Sequence, residues 1–158
     1  MVPGEPCVGS DVMDDIELTG DEHLRALAAL EAVVGNDDAA LVVLAGGAGE
    51  RPLPELLAAY GKHTLERILL AAFGITAATG GTEMGERLGE LNGDPQARIT
   101  FLLADAWRHQ AAAAGADLAT AKYIGMSVLM GVHAFTDADE SDALTLLRAL
   151  RNEVLQSG

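Results

Sequence analysis

The segment 117–135 constrains the fold of this chain most strongly, because almost every side of it is apolar. On a helical wheel, Met126 and Met130 occupy much of the surface beside its main apolar side. Only Ser127 and Ala134 lie directly opposite that side. A helix that is apolar nearly all round is buried nearly all round. The segment therefore predicts either the central helix of a compact bundle or a helix shared with a second subunit.

Composition and helix-capping signals also indicate an all-helical fold. Three Phe, two Tyr and one Trp in 158 residues give a β-sandwich little to pack, whereas abundant Ala and Leu favour helices. Thr19 and Glu22 have the spacing of a capping box. Asp94 followed by Pro95 is a strong helix start, and a second capping-box pattern lies at 137–140.

These signals divide the chain into helices from residue 19 onwards. The segment 39–45 fits a short helix or a buried strand, and its Asn/Asp start and helical neighbours favour a helix. We expect Gly61 to separate a short helix ending near Tyr60 from another at 62–73. The predicted fold is an all-α compact bundle of six to seven helices, with residues 19–158 forming a single helical domain. Further helices are predicted at 19–34, 82–91, 95–114, 117–135 and 139–156.

The helix at 95–114 has one apolar face, which we expect to point into the core. Trp107 lies at the edge of this face. Gln110 lies in its middle, so this side chain should be buried and must find a hydrogen-bond partner. The face comprises Ile99, Leu102, Leu103, Ala106 and Ala113.

Small residues indicate where helices could approach one another closely. Ala121 and Gly125, on the apolar side of the segment 117–135, would allow another helix to cross there. Glycine also recurs every fourth residue from Gly81 to Gly93, beside the helix predicted at 82–91. Because each interior glycine costs a helix ~1 kcal/mol relative to Ala, this strip indicates either a marginal helix or close approach of another backbone.

Acidity is concentrated at the N-terminus. Residues 1–24 contain seven of the 24 acidic residues and no Lys or Arg. Pro and Gly interrupt this stretch and it lacks a sustained apolar period, so residues 1–18 are predicted to form a short disordered acidic tail. We interpret the tail as a solvated, flexible segment or, alternatively, as a regulatory arm that contacts a basic partner.

The net charge of −14 argues against direct nucleic-acid binding, because phosphates need clustered Lys and Arg. The same charge leaves open an acidic inhibitor or nucleic-acid decoy. The longest apolar stretch, 68–78, is too short to span a membrane and no secretory signal is evident, so we expect a cytoplasmic protein without membrane contact. Cys7 is the single cysteine, which excludes an internal disulfide.

A glycine-rich string at 44–53 resembles the nucleotide loop of sugar-phosphate nucleotidyltransferases. In that family the loop follows the first strand near the N-terminus, and its backbone N–H groups hold phosphates. Here a predicted helix precedes the string and helical patterns follow it. The string therefore predicts a glycine helix cap followed by a proline-rich turn.

Two pairs of histidine and carboxylate residues have helical spacing. His63 and Glu66 are three residues apart, and so could share a helix face. Asp105 and His109, four residues apart, form the second pair. The four side chains together could form a mononuclear metal site, although the Glu-x-x-His order of di-metal bundles is absent. The alternative is that both pairs are surface ion pairs, and no cofactor is predicted.

Lys122 and His133 lie on one stripe of the segment 117–135, with Met126 between them. A buried Lys or His must be paired or neutralised, and either outcome raises the chance of a functional role. One interpretation is structural pairing at the edge of the core, with Glu66, Asp105 or Asp137 as partners. The other is a polar pocket or an acid/base site. His23, in a first helical turn, is expected to be solvated.

The absence of catalytic motifs favours a non-enzymatic helical interaction or accessory protein, which self-associates as a homo-oligomer and binds a protein partner. The alternative is a small helical-bundle enzyme or ligand-binding protein that holds a small molecule in an inter-helix pocket. Its candidate acid/base residues are His133, Lys122, His109 and Asp105. The pocket of this alternative would draw on His63, Glu66, Trp107, His109, Lys122, Tyr123 and His133.

Overall fold

A computed structural model describes residues 18–136 and 143–157 of the chain. The described part is all-α and forms seven helices without a strand, which confirms the predicted helical bundle. The predicted tail lies outside the described residues except for Leu18, and so does the capping-box pattern at 137–140. The helices are α1 (Gly20–Val34), α2 (Asp38–Leu44), α3 (Leu53–Ala72), α4 (Gly81–Gly93), α5 (Pro95–Ala114), α6 (Leu118–Thr136) and α7 (Ala143–Ser157).

Local capping chemistry fixes where the helices begin. The Thr19 hydroxyl accepts a hydrogen bond from the backbone N–H of Glu22 at 3.2 Å, and the Glu22 carboxylate accepts one from Thr19 N–H at 3.2 Å. This reciprocal pair is the predicted capping box. Asp94 caps α5 in the same way, accepting from Ala97 N–H at 2.8 Å. Asp37 caps α2, so the ambiguous segment 39–45 is helical, as favoured.

The prediction of a helix break near Gly61 is wrong, because α3 runs without interruption from Leu53 to Ala72. A Cβ atom at Gly61 would lie 2.5 Å from Val128 Cγ2 and 2.9 Å from Trp107 Cζ3. Glycine is therefore needed here for close packing of α5 and α6 against α3, rather than to end a helix. A glycine that ends a helix and a glycine that allows close helix packing look the same in the sequence, which is why the break was predicted.

Helix α3 is the centre of the bundle. It packs against α6, α5 and α1, while α7 and α2 pack on α1. The main core lies between these helices, and its largest fully buried side chain is Trp107. A smaller core joins the end of α3 to α4 and α5 through Leu69, Leu91 and Ala97.

The predicted core face of α5 is wrong. Ile99 is 66% exposed and Leu102 is 70% exposed, and Gln110 is exposed as well. Trp107, expected at the edge of the buried face, is instead only 2% exposed. The side of α5 that faces α3 and α6 is built mainly from small residues, which allow the helices to approach closely. The buried residues of α5 are Ala97, Thr100, Ala104, Trp107 and Ala111.

Helix α6 is buried on one side only within this chain, so the prediction that it is the central helix of the bundle is wrong, and α3 has that place instead. Ala121, Ile124 and Val128 are fully buried. The predicted close crossing is confirmed at Gly125, whose added Cβ would lie 3.1 Å from Val33 Cγ2 of α1. The opposite side of α6 stays exposed, because no other described helix covers it.

Helix α4 lies at the rim of the bundle. The glycines along it, from Gly81 to Gly93, have no protein atom within 4 Å of an added Cβ, so no backbone of the described chain approaches the strip. Of its residues only Leu91 is buried. The structure thus favours the marginal-helix interpretation.

Candidate functional site

The four residues considered for a metal site are distributed over separate places. His63 lies beside His23 of α1, whereas Glu66 is 3.7 Å from Lys62 Nζ. Asp105 and His109 lie together on α5, where His109 Nδ1 is 2.8 Å from the Asp105 carbonyl oxygen. Within residues 18–136 and 143–157, no group of three His, Cys, Asp or Glu side chains is placed to hold a metal ion. The structure therefore does not bring the four together.

Lys122 and His133 also have separate surroundings. Lys122 Nζ lies 2.8 Å from Asp38 Oδ1 and donates to Asn36 Oδ1 at 3.0 Å. Its partners are thus Asn36, in the turn between α1 and α2, and Asp38, the first residue of α2, rather than Glu66 or Asp105 as expected. Asp137, the third expected partner, lies outside the described residues. His133 is half-buried and lines a cavity of about 20 Å³. Lys122 accordingly fixes α6 to the turn before α2.

Asp105 and His109 line an open cleft of about 450 Å³ between α3 and α5. The cleft also contains Arg51, Lys62 and Arg108. Each of these cations lies beside an acid: Arg51 Nε is 2.9 Å from Glu22 Oε2, and Arg108 Nη1 is 3.9 Å from Asp105 Oδ1. The cations and acids largely balance, so the cleft offers no concentrated charge to a ligand. The His109 side chain is 81% exposed, which leaves it in solvent rather than in a shaped pocket.

The glycine-rich string forms a cap and turn, as predicted. Arg25 of α1 donates from Nε to the Leu44 carbonyl at 2.8 Å and from Nη1 to the Arg51 carbonyl at 2.8 Å. Gly46 has φ +94°, and a Cβ there would lie 2.5 Å from Arg25 Nη2. The loop therefore needs glycine to accommodate an arginine of its own chain.

A larger cavity of about 650 Å³ lies between α1, α3 and α7. His23, expected to be solvated, lines this cavity and is half-buried. Its ring centroid is 5.3 Å from that of His63 and 5.8 Å from that of Tyr60, both in edge-to-face geometry. Sequence periodicity could have revealed it, because His23 precedes the core residues Leu27 and Leu30 by four and seven positions.

Helices α5 and α6 together expose a continuous apolar surface. The two helices form an antiparallel pair joined by a hydrogen bond of 2.9 Å from Trp107 Nε1 to Ser127 Oγ. Leu103 and Met130 lie about one helical turn from this bond, so the exposed sides of the helices adjoin. We name the following exposed residues the α5/α6 face: Ile99, Leu102, Leu103, Ala106, Gln110, Ala113, Ala119, Tyr123, Met126, Met130 and Ala134.

By length and composition, α6 could cross a membrane, since Leu118–Phe135 has a mean hydropathy of 1.2. In this fold, however, the side with Ala121, Ile124 and Val128 packs into the core. Only the opposite side, within the α5/α6 face, is free to meet another apolar surface.

No family model matches this chain, and neither a curated protein nor a solved structure matches it significantly.

Proposed function

We propose that this protein is a non-enzymatic helical interaction protein that self-associates through the α5/α6 face and, as the paired form, binds a protein partner. The exposed apolar face is the observation that carries this proposal. Ile99, Leu102 and Met130 are each about two thirds exposed, although hydrophobic burial is the main driving force of folding. A second copy of the chain would remove these side chains from water.

The area of the face fits a dimer. The six large residues of the face are each between 37% and 70% exposed, so together they can supply a substantial part of the ~800 Å² that each partner contributes to a standard interface. Large exposed apolar patches are uncommon on monomeric proteins and mark interaction surfaces. The flanking alanines add further area. The six large residues are Ile99, Leu102, Leu103, Tyr123, Met126 and Met130.

Charge also favours a second copy at this position. Seven of the 24 acidic residues lie in residues 1–24, and residues 25–158 still carry 17 acidic against ten basic residues, so two copies repel each other on average. None of the residues of the α5/α6 face carries an acidic or basic side chain. Close approach at this face therefore buries no charge, and buried unpaired charge is the most costly feature of an interface.

The geometry of the face suits a two-fold axis. When an antiparallel helix pair packs face to face on its own copy, the two pairs form a four-helix arrangement of two layers. The same patch on each chain then contacts its equivalent. Gln110 is the one polar amide of the face, and its donors and acceptor can pair with the equivalent Gln110 across the axis. Tyr123 adds a phenol that can hydrogen bond at the rim.

A protein partner needs a surface outside the dimer contact. Helix α2 provides one, because Val42 is 61% exposed and Val43 is 83% exposed, and neither belongs to the α5/α6 face. We propose that the partner presents apolar side chains to these two exposed valines.

The test is sedimentation equilibrium of the full chain and of matched variants. We expect the wild-type chain to sediment with twice the monomer mass and Met130→Glu or Leu102→Glu to sediment as monomers, because each variant places a charge in the contact. Leu155→Glu and Val43→Glu replace equally exposed apolar residues outside the face and should remain dimeric. Circular dichroism checks that every variant keeps its helices.

Two results would contradict the proposal. The first is a monomeric wild-type chain at micromolar concentrations. The second is a monomer that co-sediments with phospholipid vesicles and loses that binding in Met130→Glu, which would assign the face to a membrane surface instead.

A further inference from the structure

The cavity between α1, α3 and α7 combines an apolar interior with a polar mouth. Its volume is about 650 Å³, within the range of small-molecule sites. The apolar lining comes from α3, α6 and α7 and comprises Ile68, Ala71, Val132, Leu150 and Val154. The polar lining comprises His23, Tyr60, His63, Thr64, Arg67, Glu153 and Ser157.

The imidazoles at the mouth lack hydrogen-bond partners in the described part of the chain. His23 and His63 contact each other and Tyr60 through ring edges, and no side-chain hydrogen bond is formed by either ring. Ring nitrogens that are half-buried and unpaired leave donor and acceptor capacity for a ligand. Burial lowers the pKa of both imidazoles below the ordinary value, so both are neutral at pH 7 and each offers one N–H donor.

Arg67 supplies a positive charge at the same side of the mouth. It lies four residues after His63 on α3 and lines the same cavity as both imidazoles, and its charge lowers the pKa of His23 and of His63. The Arg67 guanidinium forms no ion pair with another described residue, in contrast to Arg51, Arg87 and Arg151. An unpaired guanidinium beside two N–H donors is well suited to bind a carboxylate or phosphate.

We propose that this cavity binds a small amphipathic molecule whose anionic head group, a carboxylate or phosphate, contacts Arg67, His23 and His63, and whose apolar body lies against Ile68 and Val154. Glu153 is on α7, across the cavity, and disfavours an anion on that side. On α1, Glu22 lies close enough to His23 to raise its pKa, but Arg51 Nε is 2.9 Å from Glu22 Oε2 and offsets that negative charge. The head group is thereby directed to the α1/α3 side. The cavity shares no residue with the α5/α6 face, so the site and the self-association can be tested separately.

The experiment is isothermal titration calorimetry of the full chain with decanoate and decyl phosphate, and with decylammonium as the charge-reversed probe. We expect the anionic probes to bind and decylammonium not to bind. A preference between the two anions then tells a carboxylate site from a phosphate site. Ring resonances of His23 and His63 should shift in NMR spectra on addition of the bound anion.

Two variants and one control test the named residues. Arg67→Gln should weaken binding about tenfold or more, since a charged hydrogen bond is lost. The control is Arg98→Gln. Arg98 is an exposed arginine of α5 outside the cavity, so this variant should bind like the wild-type chain. Ala71→Trp should weaken binding, because Ala71 lines the cavity and an indole ring at this position can fill part of its volume.

The proposal is overturned if neither anion binds at millimolar concentration, if decylammonium binds as well as decanoate, or if Arg67→Gln binds like the wild-type chain. Binding that is unchanged in Ala71→Trp, with circular dichroism showing an intact fold, would place the probe elsewhere.

Discussion

At the residue scale, Gly61 decides how closely the three central helices can pack. The Trp107 ring and Val128 both occupy the space that a side chain at Gly61 would need. Trp107 is held in this position by its hydrogen bond to Ser127. One glycine in the middle of α3 thus positions both α5 and α6, and indirectly the α5/α6 face.

Gly61→Ala is therefore expected to destabilise the protein. Alanine gains ~1 kcal/mol of helix propensity over glycine, but its Cβ would overlap Val128 and Trp107, and overpacking of this kind costs about 1–3 kcal/mol. Since the added Cβ would lie only 2.5 Å from Val128 Cγ2, we expect the overpacking cost to exceed the propensity gain, with a net loss of up to about 2 kcal/mol in the free energy of unfolding, measured by urea denaturation. A gain in stability would show that the ring and the valine move aside easily.

Residue-level predictions succeeded where the chemistry is local. The Thr19 capping box and the Asp94 cap could be predicted because each involves residues three positions apart. The partner of Lys122 could not, because Asp38 is brought to it only by the packing of α6 on α1. The same limitation hid the contact between His23 and His63, whose helices meet only in the folded bundle.

At the element scale, α5 shows why hydrophobic patterning can select the wrong face. Patterning assigns the largest apolar side chains to the core, and it therefore selected Ile99 and Leu102. The core side instead carries mainly alanines around Trp107, because small residues let α5 lie close to α3. In the sequence of a single chain, an apolar helix face that packs against a second copy has the same pattern as one that packs into the chain's own core.

Helix α4 gives the opposite prediction to Gly61. Gly85→Ala and Gly89→Ala each place a methyl group where no described atom lies within 4 Å, so only the helix-propensity gain of roughly 0.5–1 kcal/mol remains. We expect slower amide hydrogen exchange throughout α4 and a small rise in the melting temperature. Gly61→Ala is the matched comparison, since the same substitution there meets neighbouring atoms.

Faster exchange in α4 of either variant would contradict this expectation. It would indicate that another backbone lies against the glycine strip in solution, which is the second interpretation that the sequence left open. Sedimentation of the same variants would then show whether that backbone belongs to a second copy.

At the scale of the whole molecule, acidity and apolar surface are separated. Half of the net charge of −14 falls in residues 1–24 and the rest of the chain is also acidic, while the named residues of the α5/α6 face carry no ionised side chain. The overall charge can be counted from the sequence. Where charged and apolar side chains lie on the molecular surface depends on which sides of α5 and α6 face outwards. The all-α class was predictable from helical period and caps, whereas this distribution follows from long-range packing.

The stability of the whole molecule should depend on pH through the histidine pair. In the folded chain burial lowers the pKa of both imidazoles. The charges of His23 and Arg67 lower the pKa of His63 further. Arg67 also lowers the pKa of His23, where Glu22 partly offsets the effect. The pKa of both imidazoles returns to the ordinary value near 6.5 in the unfolded chain, which therefore binds more protons in this range. The contribution is fully present above about pH 7 and is lost as the pH falls through 6.5 towards the folded-state pKa values.

We expect the free energy of unfolding to fall between about pH 7.5 and pH 5.5, a window in which unperturbed carboxylates are still ionised. Urea denaturation across this window measures the slope. His23→Gln or His63→Gln should reduce it, because each variant removes one group that gains a proton on unfolding. His109→Gln, outside the cavity and largely exposed, should leave the slope unchanged. A wild-type slope that both cavity variants retain would contradict the assignment and would place the responsible protons on other groups.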